Sequence, residues 1–98
     1  MRDHPTTSVE RRLAKRVPLD LHTRLRHSGL MHGDLTICDL SFTGFKGETD
    51  VNLKRGDLIS VSLPNIGLVR AIVKWRTERR IAAQFQRPVD VRVCFTAL

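Results

Sequence analysis

Residues 17–25, Val-Pro-Leu-Asp-Leu-His-Thr-Arg-Leu, alternate between apolar and polar side chains, and this stretch decides the fold class. A period of two places alternate side chains on opposite faces of an extended chain, so the stretch predicts a half-buried β-strand. The apolar face carries Val17, Leu19, Leu21 and Leu25, with Thr23 neutral, and the opposite face carries Asp20, His22, Arg24 and Arg26.

The same alternation recurs along the chain and predicts an all-β protein. Further strands are expected at residues 33–38, 45–48, 59–63, 68–77 and 81–85. Turns are expected at residues 28–29, 39–44, 56–57, 64–65 and 79–80. Short strands at intervals of about 8–12 residues, with no helix between them, are typical of an antiparallel barrel or sandwich.

The first sixteen residues do not follow this pattern. Residues 1–8 are polar and include a proline, which is typical of a flexible arm. Thr7 and Glu10 have the spacing of a helix capping box, so residues 9–15 could form a short helical turn. We therefore expect a flexible arm over residues 1–16 and a folded domain over residues 17–98.

The tail that begins at Pro88 leaves two alternatives open. Val89, Val91, Val93 and Phe95 alternate as a strand would. Pro88 could equally be the first residue of a short helix, because proline is well tolerated at that position.

Composition limits the classes of protein to which the chain can belong. It has 98 residues, with 17 Lys and Arg against 10 Asp and Glu, and a formal charge of +7. This length allows one domain with a thin core that cannot enclose a deep enzyme cleft. No apolar run approaches the roughly 20 residues of a membrane span, and the first residues lack a hydrophobic export segment. We therefore expect a cytoplasmic protein with no membrane span.

The two cysteines and four histidines do not form a metal-binding pattern. Cys38 and Cys94 lie far apart and form no C-x-x-C pair, so they are expected to be small buried thiols rather than a disulfide. The histidines never fall four residues apart on a helix or beside a cysteine pair. No metal site is expected.

The excess of positive charge is mostly arginine. Thirteen of the 17 basic residues are arginine, whose planar fork suits phosphate and guanine. An anionic partner is indicated, which could be nucleic acid, a nucleotide or an acidic protein surface. The alternative is a basic surface that is only solvated, and the charge alone leaves both open.

Two short motifs flank the first strand. Residues 12–16, Arg-Leu-Ala-Lys-Arg, form an R-x-x-x-R motif, and Arg11 directly precedes it. Residues 39–44, Asp-Leu-Ser-Phe-Thr-Gly, form a D-x-S-x-x-G motif at the end of a strand. Each motif alone is ordinary: the first could be a solvated basic face, and the second a turn whose side chains bond to its own backbone.

In this order, the two motifs resemble those of the PilZ domain, a bacterial receptor module for the second messenger cyclic di-GMP. The resemblance covers about residues 11–86 and is supported by Val17-Pro18-Leu19, Gly56, Leu63-Pro64 and Val73-Lys74-Trp75.

The resemblance implies a six-stranded antiparallel PilZ-like β-barrel and cyclic di-GMP as the ligand. The ligand-binding residues would be Arg11, Arg12, Arg16, Asp39, Ser41 and Gly44. One departure is Ala82, which stands where the family often has a glycine before the aromatic residue, here Phe85. That position bears on local packing of the barrel more than on binding.

The chemistry of these residue types fits such a ligand. An arginine fork matches a phosphate or the O6 and N7 atoms of guanine, and its flat face can stack on the base. Arg12 and Arg16 fall on the same side of either a helical turn or an extended arm. Asp39 can accept from guanine N1–H and N2–H₂, and Ser41 adds a hydroxyl. Gly44 permits a positive φ or a close approach of the backbone to the base.

Arg11 bears on the number of ligands. One cyclic di-GMP leaves this third guanidinium without an obvious acceptor, whereas two stacked copies expose more phosphates and guanine edges. We expect two ligands per protomer, and the alternative is that Arg11 is a solvated flank.

The function that fits best is a receptor or adaptor that changes conformation on binding cyclic di-GMP and signals through an unidentified protein partner, as a monomer or weak dimer. A small nucleic-acid-binding barrel fits the charge, but the chain has only 5% aromatic residues and no tyrosine, and Trp75 is expected in the core. An enzyme is not expected, because no nucleophile–base pair or metal-ligand set is visible. The last alternative is a PilZ-like domain that has lost its ligand and binds only proteins, which the intact motifs argue against.

Overall fold

Six antiparallel strands close into a barrel in the computed structural model, which describes residues 17–27 and 31–95. Around the barrel, the strands follow the order β1-β2-β3-β6-β5-β4. They are β1 (Val17–His27), β2 (Met31–Ser41), β3 (Gly44–Thr49), β4 (Leu58–Leu63), β5 (Gly67–Thr77) and β6 (Arg80–Phe85). The predicted all-β fold and six-stranded antiparallel barrel are confirmed.

The apolar side chains that the alternation assigns to the inner face fill the barrel. The rings of Phe45 and Phe85, both buried in the core, pack with their centroids 6.0 Å apart. Burying an aliphatic or aromatic side chain of this size contributes about 1.5–3 kcal/mol, so this set dominates the stability of the fold. Its other buried members include Leu25, Leu35, Ile37, Leu40, Ile59, Val61, Leu63, Ala71, Val73 and Ile81.

Two turns differ from those that the sequence predicts. Residues 39–41 remain in β2, so that only Phe42 and Thr43 form the turn before β3. The last hairpin turns at Glu78 and Arg79 rather than at residues 79–80. Glu78 has a φ of 58°, the left-handed conformation that tight hairpin turns require. The turn expected at residues 28–29 lies outside the described residues.

The tail after Pro88 forms a short 3-10 helix, Val91–Phe95, so the strand alternative is wrong. All six strands are already paired on both sides in the closed barrel, which leaves no edge for a seventh. Val91 and Cys94 are instead buried against the barrel. Asp90 directly precedes this helix, and the Arg92 guanidinium within the helix donates to it and lowers the pKa of that carboxyl.

Both cysteines are free thiols. Cys94 is buried and Cys38 is half-buried, and burial raises the pKa of each thiol. For Cys38, the nearby carboxylates of Glu48 and Asp39 raise the pKa further. Cys94 is the small buried thiol that the sequence predicts, whereas Cys38 is less buried than expected.

Candidate ligand-binding site

Asp39 faces outward from the barrel because a β-bulge interrupts β2. The pairing of β2 with β3 shifts between Ile37 and Asp39, which leaves Cys38 as the extra residue. A bulge resets the alternation of side chains, so both Ile37 and Leu40 enter the core while Asp39 is half-buried on the outer surface. Among the described residues, the Asp39 carboxylate has no hydrogen bond or ion pair. None of the described residues therefore competes with a ligand for this carboxylate.

Ser41 is a structural residue of the turn. Its side chain is only 3% exposed, and its Oγ donates to the Gly44 carbonyl over 3.3 Å. The same oxygen accepts from the Thr43 amide at 3.3 Å and lies 3.1 Å from the Thr43 hydroxyl. Ser41 thus bonds within its own turn, which is one of the two alternatives that the sequence left open. Asp39 forms no such bond within the turn. Ser41 therefore shapes the chain next to the candidate carboxylate.

The close approach of β3 to β6 explains why residue 44 is a glycine. A Cβ built on Gly44 would lie 2.2 Å from the carbonyl oxygen of Ala83, so no larger residue fits without a shift of the backbone. Its φ is not positive, since in the described part of the chain the glycines with positive φ are Gly56 and Gly67. The positive-φ role considered for Gly44 is therefore wrong, and the close approach is to protein backbone.

The arginine motif directly precedes β1, which starts beside Asp39. Pro18 of β1 pairs with Asp39, so β1 begins next to the outward carboxylate. Arg16 precedes Pro18 by two residues, a distance of at most about 7 Å along an extended chain. Arg11, Arg12 and Arg16 themselves lie outside the described residues, and their contacts remain predictions.

A row of residues paired across neighbouring strands runs from Asp39 of β2 to Trp75 of β5. Asp39 lies opposite Lys46 of β3, Lys46 opposite Ala82 of β6, and Ala82 opposite Trp75 of β5. Adjacent strands are about 4.8 Å apart, so the row is about 14 Å long. A carboxylate, an ammonium group and an aromatic ring thus share one outer surface. Lys46 was not a predicted site residue, because strand pairing, which residue alternation does not give, places it there.

Trp75 lies on the outer surface, so the expectation that it belongs to the core is wrong. Its side chain is 39% exposed, whereas Val73 is fully buried. The pairing of β5 with β6 shifts between Val73 and Trp75, and the extra residue, Lys74, turns the indole outward. After the bulge, Arg76 is the half-buried residue, and its guanidinium donates to the carbonyl of Val51.

A mostly apolar cleft of about 460 Å³ borders the turn that Ser41 organises. The Val89 amide donates to the Phe42 carbonyl at 2.8 Å and joins the tail to the turn. The apolar side chains of such a cleft are suited to the face of a planar base. The cleft is lined by Phe42, Pro88, Val89, Asp90, Val91 and Arg92.

The family model of the PilZ domain matches residues 10–95 of the chain. The chain belongs to the PilZ family. PilZ domains are receptor modules that bind cyclic di-GMP and are not catalytic. The matched range includes every strand of the barrel and the two motifs, residues 12–16 and 39–44. No curated protein matches the chain.

Two further observations apply to this PilZ domain. Residues 17–27 and 31–95 include no helix with the length and apolar character needed to cross a membrane. In the same residues, no three or more histidine, cysteine or acidic side chains are grouped so that they could hold a metal ion.

Proposed function

We propose that this protein is a receptor for cyclic di-GMP. The observation that supports the proposal most strongly is the pairing of Pro18 with Asp39. It joins the arginine motif to the barrel beside an outward carboxylate that has no hydrogen bond or ion pair among the described residues. The carboxylate can accept from the N1–H and N2–H₂ groups of guanine. The arginine forks can bind the phosphates and the O6 and N7 atoms of the same ligand.

The motif residues have different roles in this proposal. Asp39, Arg12 and Arg16 contact the ligand. Ser41 and Gly44 act indirectly, because one bonds within the turn and the other allows β3 to approach β6. Trp75, at the far end of the row from Asp39, offers a face on which a guanine can stack.

Binding would also carry the signal. Several like charges on the arm repel one another until a dianion lies among them, so the ligand would draw the arm onto the barrel. The ordered arm would then change the surface offered to a cytoplasmic protein partner.

Isothermal titration calorimetry with cyclic di-GMP tests the proposal. Arg12→Ala, Arg16→Ala and Asp39→Ala should each remove a charge-assisted contact worth about 1.5–3 kcal/mol, which weakens affinity about ten- to a hundred-fold. Asp34→Ala is the matched control, because Asp34 is an exposed acidic residue of the same strand. It should titrate as the parent protein does.

Two results would count against the proposal. If the parent protein does not bind cyclic di-GMP while its circular dichroism shows a folded barrel, the receptor function is excluded. If binding falls steeply with salt and a DNA duplex competes for it, the small nucleic-acid-binding barrel becomes the better explanation, because contacts with a polyanion release counterions.

A further inference from the structure

The outer surface of β4 and β5 carries apolar residues that the core does not need. Leu68 is 60% exposed, Leu58 is 44% exposed and Ile72 is 36% exposed. The inward positions of the same strands already supply the buried residues Val61, Ala71 and others. A strand with one solvated face normally places polar residues there. We call the outward residues Leu58, Leu68, Arg70, Ile72 and Lys74 the β4–β5 face.

The pairing of the strands makes these residues neighbours. Leu58 lies directly opposite Ile72, where cross-strand Cβ atoms are typically about 5 Å apart. Arg70 and Lys74 lie two positions from Ile72 on either side along β5, so cations flank the apolar pair. Exposed apolar groups rimmed by charge are typical of protein interaction sites.

The carboxylates of the described residues do not balance the positive charge of the β4–β5 face. Arg70, Lys74 and the nearby Arg87 are exposed, and none has an ion pair with a carboxylate in residues 17–27 and 31–95. The outward positions of β4 and β5 include no acidic residue. Asp57, which precedes β4, is engaged by His27 at 3.3 Å and by the Lys54 amide. The face is therefore complementary to an acidic partner.

A concave surface beside the face favours a polypeptide. A cleft of about 470 Å³ is lined by Ile72, Lys74, Gln84, Phe85, Gln86 and Arg87. The carboxamides of Gln84 and Gln86 can each donate and accept, which matches the amide and carbonyl groups of a peptide. Cations that alternate with apolar residues suit acidic and apolar side chains in turn, whereas a nucleic acid backbone favours continuous positive charge.

We propose that the β4–β5 face docks an acidic segment of a partner protein that also carries apolar anchor residues. Neither strand of the face pairs with β2, which carries Asp39: β1 lies between β2 and β4, and β3 and β6 lie between β2 and β5. Lys74 directly precedes Trp75, so Leu58, Arg70 and Ile72 are the residues that distinguish the face from the proposed ligand site. Docking can therefore be tested in the absence of cyclic di-GMP.

The test is an NMR titration of the ¹⁵N-labelled full chain without cyclic di-GMP. The probe is a synthetic peptide that combines glutamate and leucine. Two control peptides replace either glutamate by glutamine or leucine by serine. The probe should change the amide chemical shifts of residues in β4 and β5. Both control peptides should bind at least about tenfold more weakly, since each lacks either the acidic or the apolar side chains.

Variants of the protein test the assignment of the face. Arg70→Glu and Ile72→Ser should each weaken binding of the probe about tenfold or more. Arg55→Glu and Ile66→Ser are matched controls, because both residues are exposed and lie outside the face, and they should bind the probe normally. Thermal melts check that the variants fold, and Leu68→Ser replaces Ile72→Ser if that variant does not.

Three outcomes would overturn the proposal. Shift changes could fall outside β4 and β5, or the face variants could bind the probe as the parent does. A DNA duplex or phosphatidylglycerol vesicles could also bind the face more tightly than the peptide. Binding of cyclic di-GMP that is normal in Arg70→Glu would show that the variant affects only the docking face.

Discussion

Substitution of Ser41 by alanine distinguishes two roles for this residue, stabilising the turn and contacting the ligand. The change removes the hydroxyl that donates to the Gly44 carbonyl and accepts from the Thr43 amide. Both contacts are 3.3 Å long and the third is 3.1 Å, which is long for hydrogen bonds, so each contributes near the low end of the usual range. Three contacts at about 0.5 kcal/mol give a loss of about 1.5 kcal/mol in the free energy of unfolding.

Thermal unfolding followed by circular dichroism measures this loss. For a domain of this size, about 1.5 kcal/mol lowers Tm by about 6–12 °C. Ser62→Ala is the matched control, because Ser62 is an exposed serine of β4, and a surface change of this kind alters stability by less than about 0.5 kcal/mol. If Ser41→Ala melts with the control while its affinity for cyclic di-GMP falls sharply, Ser41 contacts the ligand and its assignment as a turn residue is wrong.

Three further predictions concern the ligand and the arm. Calorimetry of the parent protein should saturate at two cyclic di-GMP molecules per chain and move toward one in Arg11→Leu; an endpoint of one in both proteins would make Arg11 a solvated flank. Amide hydrogen exchange over residues 1–16 should slow when cyclic di-GMP is added, and identical exchange with and without ligand would exclude the proposed switch. Trp75→Ala should weaken binding of cyclic di-GMP by about 1–3 kcal/mol, with Trp75→Phe retaining most of it, because stacking needs an aromatic face. A large fall in Tm for Trp75→Ala would instead indicate a packing role.

The alternation of residues predicted most of the fold because each strand has one face in the core. Ile59, Val61 and Leu63 are all buried as the period of two requires. The register between strands is not contained in that period. Lys46 reaches the row that includes Asp39 only through the pairing of β2 with β3, so the sequence could not identify it.

The wrong placement of Trp75 arose where a β-bulge interrupts the alternation. The extra residue Lys74 turns Trp75 outward, although Val73 before it follows the predicted pattern. A bulge adds one residue to one strand and needs no characteristic residue type, so nothing in the sequence marks it. A second bulge, at Cys38, likewise turns Asp39 outward.

Residue type alone also could not show which residues of the D-x-S-x-x-G motif bond within the turn and which contact a ligand. A serine near a turn can bond to its own backbone or to a ligand, and the burial of Ser41 favours the first. An aspartate has the same two options, and the Asp39 carboxylate, which has no partner among the described residues, favours the second. Burial and hydrogen bonding, which require the folded chain, make this distinction.

The most direct test of the proposed receptor is a map of amide shift changes when cyclic di-GMP is added to the ¹⁵N-labelled protein. The predicted result is a continuous set of changes along the end of β2, from Asp39 to the turn at Phe42, and across Lys46 and Ala82. The amides of Leu58 and Leu68, which lie on strands that do not pair with β2, should not move. No change at a saturating concentration of ligand, or changes confined to β4 and β5, would contradict the proposed site.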